Sequence, residues 1–501
     1  MATALLSVAD KDGIDRLAAG LARLGIALIA TAGTQRRLAA KGITATAIET
    51  VTGFSDLLGG RVKTLHPKVM AGILADRDDK QHLQQLAEIG AVPIDIVVAN
   101  LYPFETAVAG GKPEADIIEN IDIGGVSLVR AAAKNYRHVA VLINSRQYDA
   151  FLAEAKKGSS LATRKRLAAE AFAYIAHYDA LIAAHFRTEA LPHYLGLALR
   201  KEADCRYGEN PHQQAAVYGL LPGIRPALVA GQLHGKAMSY NNFADSDTAL
   251  AIVSGFVPAA AAIVKHENVC GFALGQDISQ AFRRALDCDK LSAFGGIIAL
   301  NRECDSGTAR QITAFYNEVV IAPSFAAEAL AALKKKSNLR IIQAGRQDRH
   351  GYSLHTIADG MLVQESDQLK IDISKAEKVS KAQPNAAHLA DLEVAWQVAR
   401  MLKSNGIAIV KGQATVGIGA GQPSRIGSVQ IACTHAGAKA NGAVLASDGF
   451  FPFRDSIDLA AKHGIKAIIH PGGSLKDKEV VQAADEHGIA MLTTGTRAFR
   501  H

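Results

Sequence analysis

Short apolar runs alternate with longer amphipathic segments along this chain, and this alternation is the strongest constraint on its fold. Residues 4–8 and 26–30 form two such runs, and the segment between them, 12–24, carries apolar residues at helical spacing. Further runs follow at 94–99 and 138–143. Parallel strands joined by crossover helices give this pattern. The sequence therefore predicts an α/β fold.

The length of the chain indicates more than one domain. Its 501 residues, 49% of them hydrophobic, can bury the cores of two or three domains. Residues 148–190 are rich in alanine and predict helix, Pro192 predicts a stop, and no strand pattern returns until about residue 215. We therefore expect a domain boundary within 195–203, which separates a domain over 1–199 from one over 200–501.

Composition argues against several classes of protein. The longest nearly uncharged stretch, 250–264, is too short to span a bilayer, and the start of the chain reaches Asp10 too early for a signal peptide. The five cysteines lack CxxC spacing, which argues against a disulfide framework. The net charge of +7 is spread among acidic residues and aromatics are only 6%, so small anionic ligands fit as well as nucleic acid. We expect a cytoplasmic protein with neither a membrane nor a nucleic-acid partner.

Loops after the N-terminal strands contain residue types that bind anions. Ligands of α/β folds commonly lie at such loops. Ser7 and Lys11 flank the end of the first strand, and the turn 31–34 opens a helix whose backbone N–H groups can cradle a phosphate. In an extended chain, Arg61 and Lys63 project from the same side. Two cations on one side suit a phosphate or a developing oxyanion, and a solvated edge gives the same spacing.

Another pair of loops combines an acid with glycines and a lysine. Residues 100–104 close a strand, and residues 121–125 precede a helix that carries Lys134. Asp122 and Lys134 can provide general acid–base catalysis, and the glycines after Asp122 allow close approach of a ligand to the backbone. We expect the two side chains to meet across the start of the helix.

The stretch VKHENVCGF, residues 264–272, places a lysine, a histidine and a cysteine at the end of an apolar run. A metal site is poorly supported, since no further histidine or cysteine follows at zinc spacing. A nucleophilic Cys270 is also poorly supported, because a buried cysteine usually serves packing. Two interpretations remain, a base at His266 beside the cation of Lys265, or a structural histidine at the end of a strand.

The second part of the chain contains a weak internal repeat. Residues 263–265 read Ile-Val-Lys and lead into Gly271 and later SAFGG, while residues 409–411 read the same and lead into GIGAGQ. Duplicated subdomains would give this similarity, and so would two ordinary buried strands.

Ordered motifs occur along nearly the whole chain: LLSVADK, GGRVKTLHPK, NLYPF, IDIGG, RAAAKN, RYGENPHQ, SYNNFADSD, SAFGG, GIGAGQ, SDGFFPFRD and RAFRH. Together they resemble the bifunctional family that combines aminoimidazole carboxamide ribonucleotide (AICAR) formyltransferase and IMP cyclohydrolase. The resemblance implies a first domain with a methylglyoxal-synthase-like core over about residues 1–145 and a helical segment, which closes formyl-AICAR to IMP with loss of water. It implies a second domain of two cytidine-deaminase-like subdomains, which transfers a formyl group from 10-formyltetrahydrofolate to the 5-amino group of AICAR. A homodimer without a catalytic metal is implied as well.

The resemblance also implies roles for individual residues. In the first domain the catalytic cluster is Lys63, Tyr102, Asp122 and Lys134, and the nucleotide site is lined by Ser7, Lys11, Thr31, Thr34, Arg61, Thr64, Asn100, Gly124 and Gly125. In the second domain Lys265, His266 and Asn405 are catalytic, and the substrate contacts are Arg206, Tyr207, Asn242, Gly295, Glu318, Arg425, Phe450 and Arg497. His266 would take the proton of the attacking amine while Lys265 stabilises the oxyanion.

Three positions depart from the family pattern. Ala32 replaces a second glycine, Val269 replaces the proline of a Lys-His-x-Asn-Pro loop, and residues 290–291 replace a Pro-Thr pair. Because of the altered loop, an enzyme with cyclohydrolase activity alone is an alternative to a bifunctional enzyme. A formyl-transfer assay distinguishes these two alternatives. A nucleotide-binding or RNA-binding protein without catalysis is a further alternative, and it predicts steeply salt-dependent binding of long polyanions.

Overall fold

Five parallel strands form the centre of the first of two units into which the chain divides. The computed structural model describes residues 2–55, 57–220, 224–346 and 351–501. The first unit comprises Met1–Arg200 with Gly219–Ile224, and the second comprises Lys201–Tyr218 with Arg225–His501. None of the helices in the described ranges combines the length and the apolar character that crossing a membrane requires.

The strands of the first unit pair in the order β3-β2-β1-β4-β5, all parallel. They are β1 (Thr3–Val8), β2 (Ala27–Ala30), β3 (Thr46–Ala47), β4 (Ile96–Asn100) and β5 (Ala140–Leu142). The helices are α1 (Ile14–Arg23), α2 (Ala32–Ala39), α3 (Ile48–Thr52), α4 (Pro67–Leu74), α5 (Lys80–Glu88), α6 (Phe104–Ala109), α7 (Glu114–Glu119), α8 (Gly124–Lys134), α9 (Tyr148–Ala155) and α10 (Leu161–Phe186). The α/β prediction is confirmed, and so is helix after residue 148.

The expectation that no strand returns before residue 215 is wrong. Strand β6 (Arg200–Asp204) pairs with β7 (Ala216–Gly219) in a small separate sheet. The residues of β6 read Arg-Lys-Glu-Ala-Asp, and none of them is fully buried. A strand without a buried face carries no apolar alternation, so periodicity gives no signal for it.

A twelve-stranded mixed sheet forms the centre of the second unit. The remaining strands of the chain are β8 (Gln232–His234), β9 (Ala259–Lys265), β10 (Asn268–Gly275), β11 (Ile297–Leu300), β12 (Val319–Ala322), β13 (Arg340–Gln343), β14 (Tyr352–Ile357), β15 (Gly360–Glu365), β16 (Glu377–Lys378), β17 (Ile407–Lys411), β18 (Ala414–Gly419), β19 (Val444–Ser447), β20 (Ala467–His470) and β21 (Ala490–Thr493). The remaining helices are α11 (Ala227–Ala230), α12 (Tyr240–Ser254), α13 (Ile278–Leu286), α14 (Lys290–Ala293), α15 (Ser306–Thr313), α16 (Ala327–Lys334), α17 (Ala386–Ala399), α18 (Arg425–Ala436), α19 (Asp455–Lys462) and α20 (Asp477–His487).

Two halves of the second unit repeat one topology. A helix, a β-hairpin and three helix–strand units follow each other from α12 to β13, with the short α14 added, and again from α17 to β21. The strand order β10-β9-β11-β12-β13 of the first half returns as β18-β17-β19-β20-β21 in the second, and β10 pairs antiparallel with β18. The repeated Ile-Val-Lys therefore marks equivalent strands, β9 and β17, of a duplicated topology.

Glycines allow a helix to lie close to the sheet at equivalent places of the two halves. A Cβ on Gly271 of β10 would overlap the carbonyl oxygen of Ala285 in α13. A Cβ on Gly417 of β18 would overlap the carbonyl oxygen of Ala432 in α18. Both hairpins are thus fixed against the helix that follows them, and this fixes the position of the turn within each hairpin.

Candidate active sites

A cavity of about 750 Å³ opens in the first unit at the carboxyl ends of β1, β2 and β4. Parallel strands present their carboxyl ends on one side of the sheet, so loops that are far apart in sequence converge there. The cavity is lined by all of the residues predicted for this domain except Thr34 and Lys134: Ser7, Lys11, Thr31, Arg61, Lys63, Thr64, Asn100, Tyr102, Asp122, Gly124 and Gly125.

Asn100 holds the loop that follows β1. Its Oδ1 accepts the backbone N–H groups of Ala9 at 2.6 Å and of Asp10 at 2.9 Å. Its Nδ2 donates to the carbonyl oxygen of Asp10 at 2.9 Å. The end of β4 thereby fixes the loop that carries Lys11.

The ammonium of Lys11 lies at the start of α2. It donates to Thr34 Oγ1 at 3.2 Å and to the carbonyl oxygen of Val8, and burial lowers the pKa of Lys11. Thr34 is fully buried behind the cavity wall. The hydroxyls of Thr31 and Ser7 lie 3.5 Å apart beside it. A cation, two hydroxyls and the N-terminus of a helix are together suited to bind a phosphate.

Asp122 is the buried acid of this cavity, with 8% of its surface exposed. Its Oδ1 accepts the N–H of Gly125 at 2.6 Å, and its Oδ2 accepts the N–H of Tyr102 at 3.3 Å. Burial raises the pKa of Asp122, while these two N–H groups and the charge of Lys63 oppose the rise. A carboxyl group with a raised pKa holds a proton more readily than an ordinary aspartate does, which suits it to exchange protons with a ligand.

Two tyrosines of α10 support the segments on either side of this acid, and sequence reasoning missed both. The hydroxyl of Tyr178 accepts the N–H of Asp122 at 2.8 Å and donates to the carbonyl oxygen of Asn120 at 2.8 Å. The hydroxyl of Tyr174 accepts the N–H of Leu101 at 3.1 Å. Their spacing of one helical turn places both on the same face of α10, which was the available signal.

Arg61 lies at the exposed mouth of the cavity and pairs with Glu119 at the end of α7. Glu119 lines the cavity but was not among the predicted residues. In this arrangement the Arg61 guanidinium is bound to a carboxylate of the protein, which an anionic ligand can replace.

Lys134 lies away from the cavity. It ends α8, whose first residue, Gly124, lines the cavity; at 1.5 Å rise per residue the helix puts roughly 15 Å between them. Lys134 instead lines a separate groove with Arg130, Lys165 and Phe172. The expected meeting of Lys134 with Asp122 is therefore not formed within this chain.

In the second unit, Lys265 is the last residue of β9, and His266 begins the tight turn between β9 and β10. The Nζ of Lys265 donates to the carbonyl oxygen of Phe294 at 2.9 Å, next to Gly295. His266 is exposed, and its backbone N–H donates to Asp245 Oδ2 at 3.1 Å. Asp245 belongs to α12, and sequence reasoning missed it.

The segment that contains Asn405 is tied to this turn through Glu267. The carboxylate of Glu267 pairs with Lys403 at 3.0 Å and lies 3.9 Å from Arg500. Asn405 itself is held through both its side chain and its backbone: its Nδ2 donates to the carbonyl oxygen of Gln422 at 2.8 Å, and its carbonyl oxygen accepts a hydrogen bond from Ser428 Oγ at 2.6 Å. The three residues predicted as catalytic in this domain thus lie on two segments joined by an ion pair.

Glu318 is the centre of a polar group near the start of α12. Its Oε2 accepts Asn242 Nδ2 at 3.2 Å and pairs with Arg340 at 2.8 Å, and its Oε1 accepts the hydroxyl of Tyr316 at 2.9 Å. The backbone N–H of Gly295 donates to the carbonyl oxygen of Tyr316 at 2.8 Å, which joins the Lys265 contact to this group. Tyr316 and the buried Arg340 were not predicted.

Arg206 and Tyr207 lie on the segment that precedes this group. The guanidinium of Arg206 stacks over the ring of Tyr207 at 5.1 Å from its centroid. The backbone N–H of Arg206 donates to the carbonyl oxygen of Met238 at 3.0 Å, and the carbonyl oxygen of Tyr207 accepts the N–H of Tyr240 at 3.1 Å, so both residues are held at the start of α12 beside the Glu318 group. The predicted residues Arg206, Tyr207, Asn242, Gly295 and Glu318 are therefore brought together.

The remaining predicted residues form a second group around Gly449. A Cβ on Gly449 would overlap both the guanidinium of Arg425 and the ring of Phe499. Arg497 stacks over Phe499 at 5.1 Å, and Phe450 follows Gly449 with 39% of its surface exposed. Arg425 and Phe450 are thus neighbours of one glycine, and Arg497 is joined to it through Phe499.

The thiol and metal interpretations gain no support at the β9–β10 turn. Burial raises the pKa of the Cys270 thiol to about 12, so the thiolate is scarce at neutral pH. Within the described ranges, one group has the spacing of metal ligands, and it consists of Asp76, Asp78 and His138. It does not line the cavity of the first unit.

Comparison with known proteins identifies the family of the chain. The family model described as AICARFT/IMPCHase bienzyme matches residues 132–435, and the model described as MGS-like domain matches residues 13–127. The chain is 46% identical to proteins named "Bifunctional purine biosynthesis protein PurH" from Bacillus cereus (strain AH820) and Bacillus anthracis (strain A0248), over 99% of each chain. The corresponding protein of Bacillus thuringiensis (strain Al Hakam) is 45% identical over 99% of each chain.

Among solved structures, one titled "Crystal structure of ForH" is 38% identical and covers 37% of this chain and 99% of its own, with a TM-score of 0.33. The family assignment follows from the full-length relatives and from the model that matches more than half of the chain. The chain belongs to the AICARFT/IMPCHase bienzyme family of purine biosynthesis, whose two activities are AICAR formyltransferase and IMP cyclohydrolase.

Proposed function

We propose that the two activities of the family are divided between the two units. The cavity of the first unit closes formyl-AICAR to IMP, and the second unit transfers the formyl group to AICAR. The observation that supports this division is the convergence of a buried acid, cations and a helix N-terminus in the first unit, apart from the Lys265–His266 turn. Domains over 1–199 and 200–501 follow from the same proposal.

Ring closure joins two groups of one molecule, so orientation supplies much of its rate. The substrate phosphate binds at the start of α2 with Ser7, Thr31 and Lys11. The carboxamide nitrogen then attacks the formyl carbon, and Lys63 stabilises the oxyanion that forms on the formyl oxygen. Asp122 takes the proton from the attacking nitrogen and passes it to the oxygen, which becomes a hydroxyl group. The hydroxyl then leaves as water with a second proton, which the former formamide nitrogen releases as it forms the new C=N bond. Tyr102 orients the formyl group.

Formyl transfer uses 10-formyltetrahydrofolate as the donor. The 5-amino nitrogen of AICAR attacks the formyl carbon, His266 takes the proton of the amine, and Lys265 stabilises the oxyanion. Asn405 orients the amine. The bond between the formyl carbon and N10 of the folate then breaks, and N10 takes up a proton. The substrate phosphate is bound by Arg206, Tyr207 and Arg497, because arginine can bind two phosphate oxygens at once.

A homodimer is part of the proposal. The residues proposed for formyl transfer extend from Arg206 to Arg497, and His266 is exposed to solvent in a single chain. A second copy over this surface would exclude water from the reacting groups. Formyl transfer should then decline on dilution as dimers dissociate, whereas a monomer with full specific activity in sedimentation would contradict the dimer. A cytoplasmic location, the use of the folate donor and the cytidine-deaminase-like character of the halves remain predictions.

The test is to supply AICAR with 10-formyltetrahydrofolate and to identify the products by mass spectrometry. Formyl-AICAR should appear first and IMP afterwards. Formyl-AICAR supplied alone should yield IMP from the full chain and from a fragment of residues 1–199. A chain that converts formyl-AICAR but not AICAR would be a cyclohydrolase alone, which is the outcome that the altered loop at Val269 leaves open.

A further inference from the structure

The β9–β10 turn and the β17–β18 turn of the two halves share one backbone conformation. His266 and Glu267 have φ values of 54° and 57°, and Gly412 and Gln413 have φ values of 60° and 63°. Two-residue hairpin loops favour positive φ at both central positions, since this twist matches that of the strands. His266 thus occupies the position that Gly412 occupies in the other half.

A buried aspartate in the preceding helix holds each turn. Asp245 of α12 accepts the N–H of His266 at 3.1 Å through Oδ2 and the N–H of Glu267 at 2.6 Å through Oδ1. Asp391 of α17 accepts the N–H of Gly412 at 2.8 Å through Oδ2 and that of Gln413 at 2.5 Å through Oδ1. Asp245 is 8% exposed and Asp391 is 6% exposed. The two halves therefore contain the same anchor, atom for atom.

The first turn depends on its anchor more than the second does. A left-handed backbone is unfavourable for a residue with a Cβ and is readily adopted by glycine. Both central residues of the first turn carry side chains, whereas the second turn has Gly412 at one position. Without the carboxylate of Asp245, His266 and Glu267 would relax toward conformations that aim the imidazole elsewhere.

We propose that Asp245 is a positioning residue for formyl transfer. Its carboxylate holds two successive N–H groups, keeps the turn in the left-handed conformation, and so fixes the direction of the His266 imidazole and the place of Lys265 at the strand end. Asp245 acts through the backbone of the turn, because its two hydrogen bonds are to N–H groups and not to the imidazole ring. This inference rests on the proposed roles of His266 and Lys265.

Asp391 provides a matched control for a kinetic test in the full-length chain. Asp245→Asn and Asp391→Asn each replace a buried carboxylate that binds two N–H groups, so both variants should lose similar thermal stability. The kcat of formyl transfer should fall on the order of 10- to 100-fold in Asp245→Asn, because small misplacements of catalytic groups have effects of this size. The KM for AICAR should stay within about twofold, since binding of the ground state does not use the imidazole direction. Asp391→Asn should keep kcat within about twofold of the parent chain.

The substitution Glu267→Gly distinguishes a positioning role of Asp245 from a direct catalytic role. Glycine adopts the left-handed conformation without an anchor, so the effect of Asp245→Asn on kcat should be smaller in a Glu267→Gly background than in the parent chain. A direct catalytic role would leave the effect undiminished. An undiminished effect, or equal kcat losses in Asp245→Asn and Asp391→Asn, would overturn the proposal.

Hydrogen exchange tests the anchor independently of activity. In Asp245→Asn, a peptide that contains His266 and Glu267 should exchange faster, while a peptide that contains Gly412 and Gln413 should not; Asp391→Asn should give the reverse. Unchanged exchange at His266 would overturn the proposal even if kcat falls. A folded parent chain that fails to transfer the formyl group would instead refute the proposed function, and the exchange result would still decide whether Asp245 holds the turn.

Discussion

Arg425 and Asp448 form an ion pair inside the second unit, with 5% and 0% of their side chains exposed. Arg425 is the first residue of α18, and Asp448 directly follows β19. The pair thus connects the helix after one hairpin to the next strand of the same half. Arg425 is also a proposed substrate contact, so the same pair would hold that contact in place.

We expect Asp448→Asn to destabilise the second unit by about 3–5 kcal/mol, because it leaves the Arg425 charge buried without a counter-ion. Urea unfolding, monitored by tryptophan fluorescence, measures this change. Trp396 is the single tryptophan of the chain and is fully buried in α17. Glu486→Gln is the control, since it breaks the exposed pair of Glu486 with Arg454 and should leave the midpoint unchanged. Equal urea midpoints for Asp448→Asn and Glu486→Gln would show that burial of the ion pair does not determine its contribution to stability.

We expect His266→Ala to lower the kcat of formyl transfer by about 10²- to 10⁴-fold, the usual contribution of a general base. Conversion of formyl-AICAR to IMP should not change. His355→Ala, on the exposed strand β14, serves as the control. A loss of only a few fold in His266→Ala, with an unchanged pH profile, would return His266 to a structural role.

Asp122 should set the acid limb of the cyclohydrolase pH profile. Burial raises its pKa, so the ionised base is lost at a higher pH than the value near 4 of an ordinary aspartate. Asp122→Asn should remove most of the activity and this acid limb with it. If the acid limb persists in the residual activity of Asp122→Asn, another titratable group causes it.

The raised pKa of Asp122 also affects the stability of the folded protein. Because the folded pKa of Asp122 lies above its unfolded value, ionisation weakens the folded state as the pH rises from about 4 through the raised pKa. The unfolding midpoint of the parent chain, relative to that of Asp122→Asn, should therefore decline across this window.

His470 should make the second unit sensitive to acid. Burial lowers its pKa to about 4, helped by Arg425 and opposed by Asp477, and its Nδ1 accepts the N–H of Gly472 at 3.1 Å. The unfolded chain therefore takes up the proton first, so stability is complete above a pH of about 6.5 and is lost as the pH falls toward 4. His470→Asn keeps an acceptor near Nδ1 and should flatten this decline in the thermal midpoint. Parallel curves for parent and variant would exclude His470 as the cause.

Lys63→Ala should lower the cyclohydrolase kcat more than Lys134→Ala does. Lys63 lines the cavity and its charge acts on Asp122, whereas Lys134 lies in a separate groove. Steady-state rates with formyl-AICAR compare the two variants directly. An equal or larger loss in Lys134→Ala would show that Lys134 reaches the cavity in another arrangement, as the family resemblance implies.

The residues that line the cavity of the first unit were largely predictable from the sequence, because many of them lie where predicted strands end. Ser7, Thr31 and Asn100 each end or follow an apolar run, and parallel pairing brings such positions to one edge of the sheet. The place of Lys134 was not predictable in this way, since it depends on how far α8 continues beyond Gly124. The pattern of apolar residues shows the helix but not which neighbour its last turn faces.

The supporting residues were hidden for a different reason. Asp245 binds backbone N–H groups 21 and 22 residues later, and Tyr178 binds an N–H group 56 residues earlier. Every residue except proline has a backbone N–H group, so the identity of the donating residue does not reveal that it forms such a hydrogen bond. For Asp245 the duplication offered a signal, because Asp245 precedes Lys265 by as many residues as Asp391 precedes Lys411.

The glycine at position 412 distinguishes the second hairpin turn from the otherwise equivalent first one. A half that keeps the anchoring aspartate and the hairpin retains the architecture of the turn, while a single codon decides whether the turn bears an imidazole or no side chain. The first half thus carries the imidazole at this turn, and the second half carries the proposed catalytic Asn405 elsewhere. An engineer could exploit this by placing a new functional group at position 412, where the backbone frame already exists.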